Sequence, residues 1–450
     1  MTAPFYDSET DQKRLDLISS DIMRSVRINK GFLIWFGFLL TALAICLYAY
    51  SVQLNKGLGV TGMRDFTSWG MYIANFVFFV ATSLVGMLIS SVLGLIGVKW
   101  ITPITRISEI IAVAFAAVAP LVIISDMGRP ERLPYVFLFA RVQSPIVWDV
   151  TVVTTYFVIS LLLWFLPMIP DLAVAKTRMN DRPSFLVKAY NIMSFKWIHH
   201  HEQYRILNRA IRVLLILIVP MAFAIHTVTS WLFAVTPRTG WDSTIFGPYF
   251  LSGAFVAGTS AVIIAMYFFR VNYKLQKYLT DDHFEKMARV LVLISIIYFY
   301  FNLNEFLIPG YKLKTQDAIH LRDLFSGDHA FLFWGTQIIG LVIPVILMLF
   351  RNFRKPLPLL IISIFMLAGA WLKRFIIVVP PQAHPNLPIQ SVPVEWVFYK
   401  PTLIEILVTI GSFLIAMIII TLLSKLFPVI PIVETASKES ETEPVETLQT

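Results

Sequence analysis

The sequence predicts an all-α polytopic membrane protein with about ten transmembrane helices. Three observations carry this prediction: 57% of the 450 residues are hydrophobic, only 14% are charged, and the mean hydropathy is +0.71. A water-soluble domain contains about 45–50% apolar and about 25% charged residues. Because so much apolar surface needs lipid as its solvent, the composition excludes a water-soluble globular chain.

Ten segments are apolar over the roughly 20 residues that a helix needs to cross a bilayer. They cover residues 32–54, 70–97, 107–125, 145–168, 212–234, 250–270, 287–308, 330–350, 357–379 and 402–427. A charged stretch precedes the first segment, so we expect no cleaved signal peptide. Residues 12–31 are amphipathic and fit a membrane interface, whereas the acidic tail 434–450 contains no aromatic residue, which predicts disorder.

Lysine and arginine predict the orientation of the chain. With ten spans, the two termini and the even-numbered loops share one side of the membrane, and 25 of the 37 basic residues fall there, many of them in the loop 169–211. Cytoplasmic loops carry an excess of Lys and Arg, so both termini are predicted to be cytoplasmic. Basic residues scattered over short loops favour contacts with lipid and argue against a nucleic-acid partner.

An internal repeat relates the second span to the sixth. Six residues are identical at a separation of 177 positions, namely Thr67, Gly70, Tyr72, Phe78, Thr82 and Ser83 with Thr244, Gly247, Tyr249, Phe255, Thr259 and Ser260. Spans four apart run in the same direction, so the pattern predicts two four-helix bundles in a parallel repeat. With a small shift of that register, Trp148 and Asp149 correspond to Trp334 and Gly335, which places the chemistry in the first bundle.

The repeat and the spans together divide the chain. We expect a cytoplasmic N-terminal segment (1–31), a first span with its outer loop (32–69), a first bundle (70–234), a second bundle (235–379), an outer loop with the last span (380–433) and the tail (434–450).

Polar residues concentrate at the ends of the third and fourth spans. Asp126 ends one span, Asp149 begins the next, and the turn Gly128-Arg129-Pro130 lies between them. Two carboxylates and an arginine at one membrane surface could bind a polar ligand head and accept its protons. An ion pair between Asp126 and a loop arginine that merely closes the hairpin is an equally good interpretation.

Other ionisable residues within spans are weaker candidates. Charged groups at membrane depth usually line a site or a pathway, and a proton path is the candidate role for Glu109, His226, Glu305, Lys373 and Arg374. His226 could equally be a histidine bonded to a neighbouring helix, and the two basic residues could extend to the interface.

The cysteine and histidine content limits the resident cofactors. Cys46 is the single cysteine, which excludes a disulfide within the chain and a thiolate-held iron–sulfur cluster. Of the eight histidines, only His226 is central to a span, so a haem held by two membrane histidines is not expected. The run His199–His201 lies in a basic loop and is interpreted as surface, so no metal site is predicted.

Six motifs, in this order along the chain, resemble the NrfD/PsrC family of quinone-reactive membrane subunits of bacterial respiratory complexes. They are Thr67–Asn75, Asp126–Arg132, Ser144–Asp149, Gly240–Phe250, Trp371–Phe375 and Phe427–Glu434. The ten spans are most similar to the long members, such as the membrane subunits of alternative complex III. Those proteins often have histidine at the position of Asp126 and a longer insert before the Trp-Asp motif.

The resemblance implies a multi-pass protein of the bacterial inner membrane with a quinone site in the first bundle. It implies menaquinone or ubiquinone as substrate, no haem or iron–sulfur cluster in this chain, and an iron–sulfur subunit on the extracytoplasmic side. Multihaem cytochrome or molybdoenzyme subunits and a second membrane subunit are further partners in such complexes. The implied quinone-binding residues are Asp149, Asp126, Arg129, Trp148, Trp69 and Gly70.

The function expected is therefore quinol oxidation or quinone reduction in an assembled complex, with Asp149, Asp126 and Arg129 as catalytic residues and proton translocation as an added possibility. Two alternatives stay open. Ten spans, a parallel repeat and intramembrane charges also fit a secondary transporter, and a structural anchor for peripheral redox subunits would need no reactive carboxylate.

Overall fold

A bundle of long helices makes up the fold in the computed structural model, which describes residues 9–26, 28–96, 98–176, 184–384, 393 and 396–442. The helices are α1 Glu9–Ile22, α2 Lys30–Lys56, α3 Met71–Ile96, α4 Thr102–Asp126, α5 Tyr135–Leu138, α6 Pro145–Phe165, α7 Ile169–Lys176, α8 Ser184–Met193, α9 His201–Ala234, α10 Phe246–Asn272, α11 Asp281–Lys312, α12 Thr315–Ser326, α13 Ala330–Trp334, α14 Ile343–Leu349, α15 Pro356–Val378, α16 Leu403–Leu426 and α17 Ile432–Thr442. A π-helical segment, Gly335–Val342, joins α13 to α14.

Ten segments are long and apolar enough to cross a membrane, and each coincides with a predicted span. They are Lys30–Lys56, Met71–Ile89, Thr102–Asp126, Pro145–Lys176, His201–Ala234, Phe246–Asn272, Asp281–Lys312, Ala330–Leu349, Pro356–Ala383 and Leu403–Leu426. The residues that the structure describes include no β-strand. The prediction of an all-α, multi-pass membrane protein with about ten spans is therefore confirmed.

The transmembrane helices pack in two rings. In the first, α3 contacts α4, α4 contacts α6, α6 contacts α9, and α9 returns to α3. In the second, α10, α11, α14 and α15 contact one another in the same order. This is the arrangement that the repeat predicts, although the exact boundaries of the two bundles remain a prediction.

The rings meet where α3 packs against α10, the two helices related by the repeat. Gly258 permits this approach, because a Cβ atom there would lie 2.5 Å from Cβ of Val85. Both helices are buried within the protein over most of their length, whereas α2 and α11 expose most of theirs. Apolar exposure on the outer helices is expected where lipid is the solvent.

The first and last described helices, α1 and α17, lie at the same end of the bundle, which is here called the termini face. The opposite end is called the distal face. Ile18 and Ile22 of α1 are buried, and α1 packs against α17. The backbone N–H of Val433 donates to Oδ1 of Asp171 at 2.9 Å.

These contacts correct the prediction for the C-terminal tail. Its first nine residues, 434–442, belong to α17 and are not disordered. Acidic composition and the lack of aromatic residues favour disorder in an isolated segment, but packing against α1 and the bond to Asp171 stabilise a helix here. The rest of the tail, 443–450, lies outside the described residues.

Candidate functional site

A buried carboxylate lies near the distal end of the first ring. Pro145 begins α6 and Asp149 follows in its second turn, with only 4% of its surface exposed. The hydroxyl of Thr229 on α9 donates to Oδ1 of Asp149 at 2.5 Å. A buried polar group without a hydrogen bond is costly, so this bond holds the carboxylate in one position between the two helices.

Two tryptophans lie on the same two helices as this pair. Trp148 and Trp231 meet edge to face, with ring centroids 6.0 Å apart. The indole N–H of Trp148 donates to the carbonyl of Val142, which ties the loop before α6 to the start of the helix. The helices that carry Asp149 and Thr229 therefore also carry a pair of packed aromatic rings.

The second ring repeats this loop contact without the acid. There, the indole N–H of Trp334 donates to the carbonyl of Phe325 at 3.0 Å. The next residue is Gly335, and a Cβ atom at that position would have no neighbour within 4 Å. Of these two corresponding positions, only the one in the first ring therefore carries a carboxylate.

His226 lies three residues before Thr229, on the same face of α9. Its side chain is buried, and its Nε2 has no hydrogen-bond partner among the described residues. One helix face thus carries a hydroxyl bonded to Asp149 and an imidazole nitrogen that is available for a further partner.

Asp126 ends α4, and its Oδ1 is buried without a hydrogen-bond partner among the described residues. Beside it, the amide of Gln53 donates to the carbonyl of Ser125 at 2.7 Å, and the hydroxyl of Tyr72 donates to Oε1 of Gln53 at 2.6 Å. A polar chain from α2 and α3 therefore reaches the end of α4. The sequence analysis missed Gln53 and Tyr72, although a lone glutamine in an apolar run is a signal of a buried contact.

Arg129 does not join the carboxylates. Within the described residues, its exposed guanidinium makes no ion pair with Asp126 or Asp149, and Arg132 makes none with Asp126. The turn at Pro130 begins a short 3₁₀ helix, Pro130–Arg132, that leaves these side chains in solvent. The structure does not bring Arg129 together with the two carboxylates, as the sequence analysis predicted. It also does not show the alternative, an ion pair between Asp126 and a loop arginine that closes the hairpin.

Trp69 lies at the distal face, where the two rings meet. Its ring stacks on Trp241 with centroids 5.4 Å apart and meets Phe233 edge to face at 5.4 Å. Its backbone N–H and carbonyl both bond the side-chain amide of Gln382, at 3.0 and 2.6 Å. These contacts connect the loop before α3 to the loop after α15.

Gly70 is required for close packing beside Trp69. A Cβ atom at this position would lie 2.6 Å from the ring of Tyr399. The Tyr399 hydroxyl accepts from the backbone N–H of Met71 and donates to Glu405 at 2.6 Å. Glu405, which is fully buried at the start of α16, was not among the predicted residues, although it is a carboxylate within an apolar run.

The second ring contains a separate polar cluster. Nζ of Lys373 lies 2.8 Å from Oε2 of Glu305, and both side chains are almost entirely buried. The Lys373 ammonium also lies 4.3 Å from the ring centroid of Phe306. The guanidinium of Arg374 packs over the ring of Phe250 at 4.9 Å. These two basic residues therefore lie inside the bundle and do not extend to an interface.

The five residues of the candidate proton path are all buried or nearly so, but the structure brings only part of the set together. Glu305 and Lys373 form an ion pair, and His226 lies within electrostatic range of Arg374. Glu109 lies in the first ring on α4, three residues from Arg106. Arg106 forms a buried ion pair with Asp171, with 2.5 Å between Nη1 and Oδ2, and the sequence analysis missed this pair.

Within the described residues, no group of three or more His, Cys, Asp or Glu side chains is placed to hold a metal ion. The expectation that this chain holds no haem or iron–sulfur cluster stays a prediction.

Residues 59–386 match the family model described as polysulphide reductase, NrfD. A membrane subunit of Halobacterium salinarum, named "Putative dimethyl sulfoxide reductase membrane subunit", is 30% identical over 234 residues, which is 51% of this chain and 50% of that protein. The chain thus matches about half the length of that relative.

Two further relatives match over longer stretches. A selenate reductase subunit of Mesobacillus selenatarsenatis is 23% identical over 74% of this chain and 79% of that protein. The Hdr-like menaquinol oxidoreductase integral membrane subunit of Archaeoglobus fulgidus is 23% identical over 86% of this chain and 91% of that protein. Since the family model covers most of the chain, including α3 to α15 and the Asp149–Thr229 pair, this protein belongs to the NrfD family of membrane proteins.

Proposed function

We propose that this chain is the quinone-reactive membrane subunit of a respiratory oxidoreductase complex. The observation that carries the proposal is the buried Asp149 carboxylate, which is hydrogen-bonded to Thr229 on the neighbouring helix. The same two helices carry the ring pair Trp148–Trp231. The names of the relatives support it, because one is a menaquinol oxidoreductase subunit and two are subunits of reductases.

The proposed chemistry is proton-coupled electron transfer with a quinol. Oxidation of one quinol releases two electrons and two protons. Asp149 would accept a proton from one hydroxyl group of the quinol, and Thr229 would hold the carboxylate in place for that transfer. Asp126, with its unpartnered Oδ1, is the candidate acceptor for the second proton. In a reductase the same groups would deliver protons to the quinone.

Access from the membrane is consistent with a lipid-soluble substrate. The segment between α4 and α6 exposes large apolar side chains, among them Phe137, Leu138 and Phe139. Exposed aromatic residues are typical of membrane interfaces. In this proposal the aromatic surfaces of Trp148 and Trp231 pack against the quinone ring, while Trp69 and Gly70 hold the loops that close the site.

We further propose that the distal face is extracytoplasmic, because the excess of basic residues lies on the termini face. Electrons would then pass to an iron–sulfur subunit on the outer side of the bacterial inner membrane. The other proposed partners are multihaem cytochrome or molybdoenzyme subunits and a second membrane subunit, as in alternative complex III. Reporter fusions after residue 190 and after residue 320 should report opposite compartments.

Proton translocation is a separate part of the proposal. Its candidate groups are Glu109, His226, Glu305 and Lys373, together with Arg374. The described contacts join Glu305 to Lys373 directly. Deuterium-sensitive proton uptake by vesicles that contain the assembled complex would test this part independently of quinol turnover.

Copurification tests the proposed function. The tagged full-length chain should be purified from its native membranes in mild detergent, and the preparation assayed for iron–sulfur absorbance and quinol oxidation. We expect both in the same fractions as the chain. A chain that purifies alone and stable, without a redox partner, would favour the transporter. A complex with redox partners that never reacts with quinol would favour the structural anchor.

A further inference from the structure

A groove opens at the termini face between α10, the start of α11 and the start of α15. Its volume is about 420 Å³. The polar residues that line it are Arg270, Gln276, Asp281 and Lys355. Arg270 lies in the last turn of α10, and Lys355 directly precedes α15, so both lie where a span leaves the membrane.

The remaining lining of the groove is mostly apolar. It includes Tyr267, Val271 and the segment Pro356–Pro358. Val271 and Leu357 are about half exposed, and Phe268 beside them exposes a similar fraction of its surface. The groove therefore has a charged end and an apolar wall that continues onto the lipid-facing surface of α10 and α15.

Arg270 retains unused hydrogen-bonding capacity. Its Nη2 lies 2.7 Å from Oδ1 of Asp281, and its guanidinium packs over the ring of Phe284 at 5.4 Å. Its Nη1 is buried and has no hydrogen-bond partner among the described residues. Because Asp281 is mostly exposed, its ion pair with Arg270 is weak.

The charges around the groove favour an anion. Arg270 and Lys355 line it with one carboxylate, Asp281, so the lining carries one positive charge in excess. Arg351 and Arg354 lie just beyond Lys355, where both approach Glu285, at 3.7 and 3.9 Å. Glu285 is also bonded by Arg289 at 2.6 Å, so it does not neutralise this group of basic residues.

We propose that this groove binds an anionic phospholipid, with the phosphate on Arg270 and Lys355 and the acyl chains along the apolar wall. Basic pockets between transmembrane helices at a cytoplasmic surface are suited to such headgroups. The apolar wall distinguishes a lipid from free phosphate, which would leave that wall without an occupant. This inference concerns a site on the opposite face from Asp149. It rests on the orientation proposed above, but it does not depend on the proposed quinone chemistry.

The test measures lipid retention by the full-length chain. The protein should be reconstituted into vesicles of equimolar dioleoyl phosphatidylglycerol and dioleoyl phosphatidylcholine, extracted in mild detergent and analysed by native mass spectrometry. We expect wild-type protein to retain phosphatidylglycerol selectively. The double variant R270Q/K355Q should retain roughly 25-fold less, about fivefold for each basic residue removed.

A matched control distinguishes lipid binding in the groove from a general effect of positive charge on lipid retention. Lys274→Gln with Lys277→Gln removes the same charge from the neighbouring loop, outside the groove lining, and should leave retention unchanged. If R270Q/K355Q fails to fold, Lys355→Gln alone keeps the Arg270–Asp281 pair and should still lower retention about fivefold. Equal retention of both lipids, an equal loss in the two double variants, or displacement of the lipid by inorganic phosphate would each overturn the proposal.

Discussion

The hydroxyl of Thr229 donates to the carboxylate of Asp149 across the interface of two transmembrane helices, with 2.5 Å between Oγ1 and Oδ1. The two residues are 80 positions apart in the chain, and both are buried. A carboxylate held by one donor keeps its second oxygen for a substrate. This relationship is the basis for the predictions about quinol chemistry.

Removal of the hydroxyl at position 229 should weaken turnover without abolishing it. Thr229→Val keeps the shape of the side chain and removes the donor to Asp149. Hydrogen bonds to charged groups contribute about 1.5–3 kcal/mol, so we expect quinol turnover to fall roughly ten- to a hundredfold. Thr229→Ser retains the donor and should stay close to wild type. Equal activities for the Val and Ser variants in the assembled complex would show that the bond has no role in turnover.

Asp126→Asn should be less damaging than Asp149→Asn. Its Oδ1 has no described partner, and Asp126 lies at the end of α4, where water can substitute as a proton acceptor. We expect turnover to fall by less than roughly tenfold, within the range of a secondary acid–base group. Steady-state kinetics with the same quinol should be compared for both variants. A larger loss for Asp126→Asn would reverse the proposed roles of the two carboxylates.

The spans could be predicted from sequence because each needs only a local run of apolar residues. Contacts between helices could not be predicted from sequence, because they depend on how distant segments pack together. Thr227 and Thr229 are the same residue type on the same helix, yet Thr227 donates to the carbonyl of Phe223 one turn earlier. Only the packing of α9 against α6 aims Thr229 at Asp149.

The errors in the sequence analysis have the same origin. Arg129 follows Asp126 closely in sequence, but the turn at Pro130 leaves its guanidinium in solvent. The tail after Val433 has a composition typical of disorder, but α1 packs on its first part. The repeat, in contrast, predicted that one ring carries Asp149 where the other has Gly335, because that difference is readable in the sequence.

The Lys373–Glu305 pair should be a strong determinant of stability. Loss of one member of a buried pair leaves an uncompensated charge and costs about 3–5 kcal/mol. We expect Lys373→Met to lower the melting temperature in detergent markedly, while Lys373→Met combined with Glu305→Leu recovers most of the loss. If the double variant melts as low as the single one, the contribution of the pair is packing and not charge.

The loop cluster around His320 should make stability depend on pH. Burial, helped by the nearby positive charge of His384, lowers the pKa of His320 to about 3. The ring of His384 lies 5.6 Å away, and Asp323, His329 and Lys373 also face this group. An unfolded histidine has a pKa of about 6.5. Neutral His320 therefore contributes stability that is complete above about pH 6.5 and is lost as the pH falls toward 3.

Asp323 does not obscure the pH dependence of stability that is expected from His320. Burial acts to raise its pKa, but hydrogen bonds from His329 and His384 outweigh burial and hold the pKa below its ordinary value. Wild type and His320→Gln share this contribution, so a comparison of the two proteins removes it. Between about pH 8 and about pH 5, wild type should lose roughly 2 kcal/mol more stability than His320→Gln. Parallel pH profiles of melting temperature for the two proteins would refute this assignment.

The most direct test of the central claim is quinol turnover by the Asp149→Asn variant in the assembled complex. Asparagine keeps the size of the side chain and can still bond Thr229, but it cannot accept a proton from a quinol hydroxyl. Since loss of a general base typically costs about 10²–10⁴ in rate, turnover should fall at least roughly a hundredfold while the partner proteins still copurify. Wild-type turnover in a fully assembled Asp149→Asn complex would contradict the account, and the structural anchor would then be the better explanation.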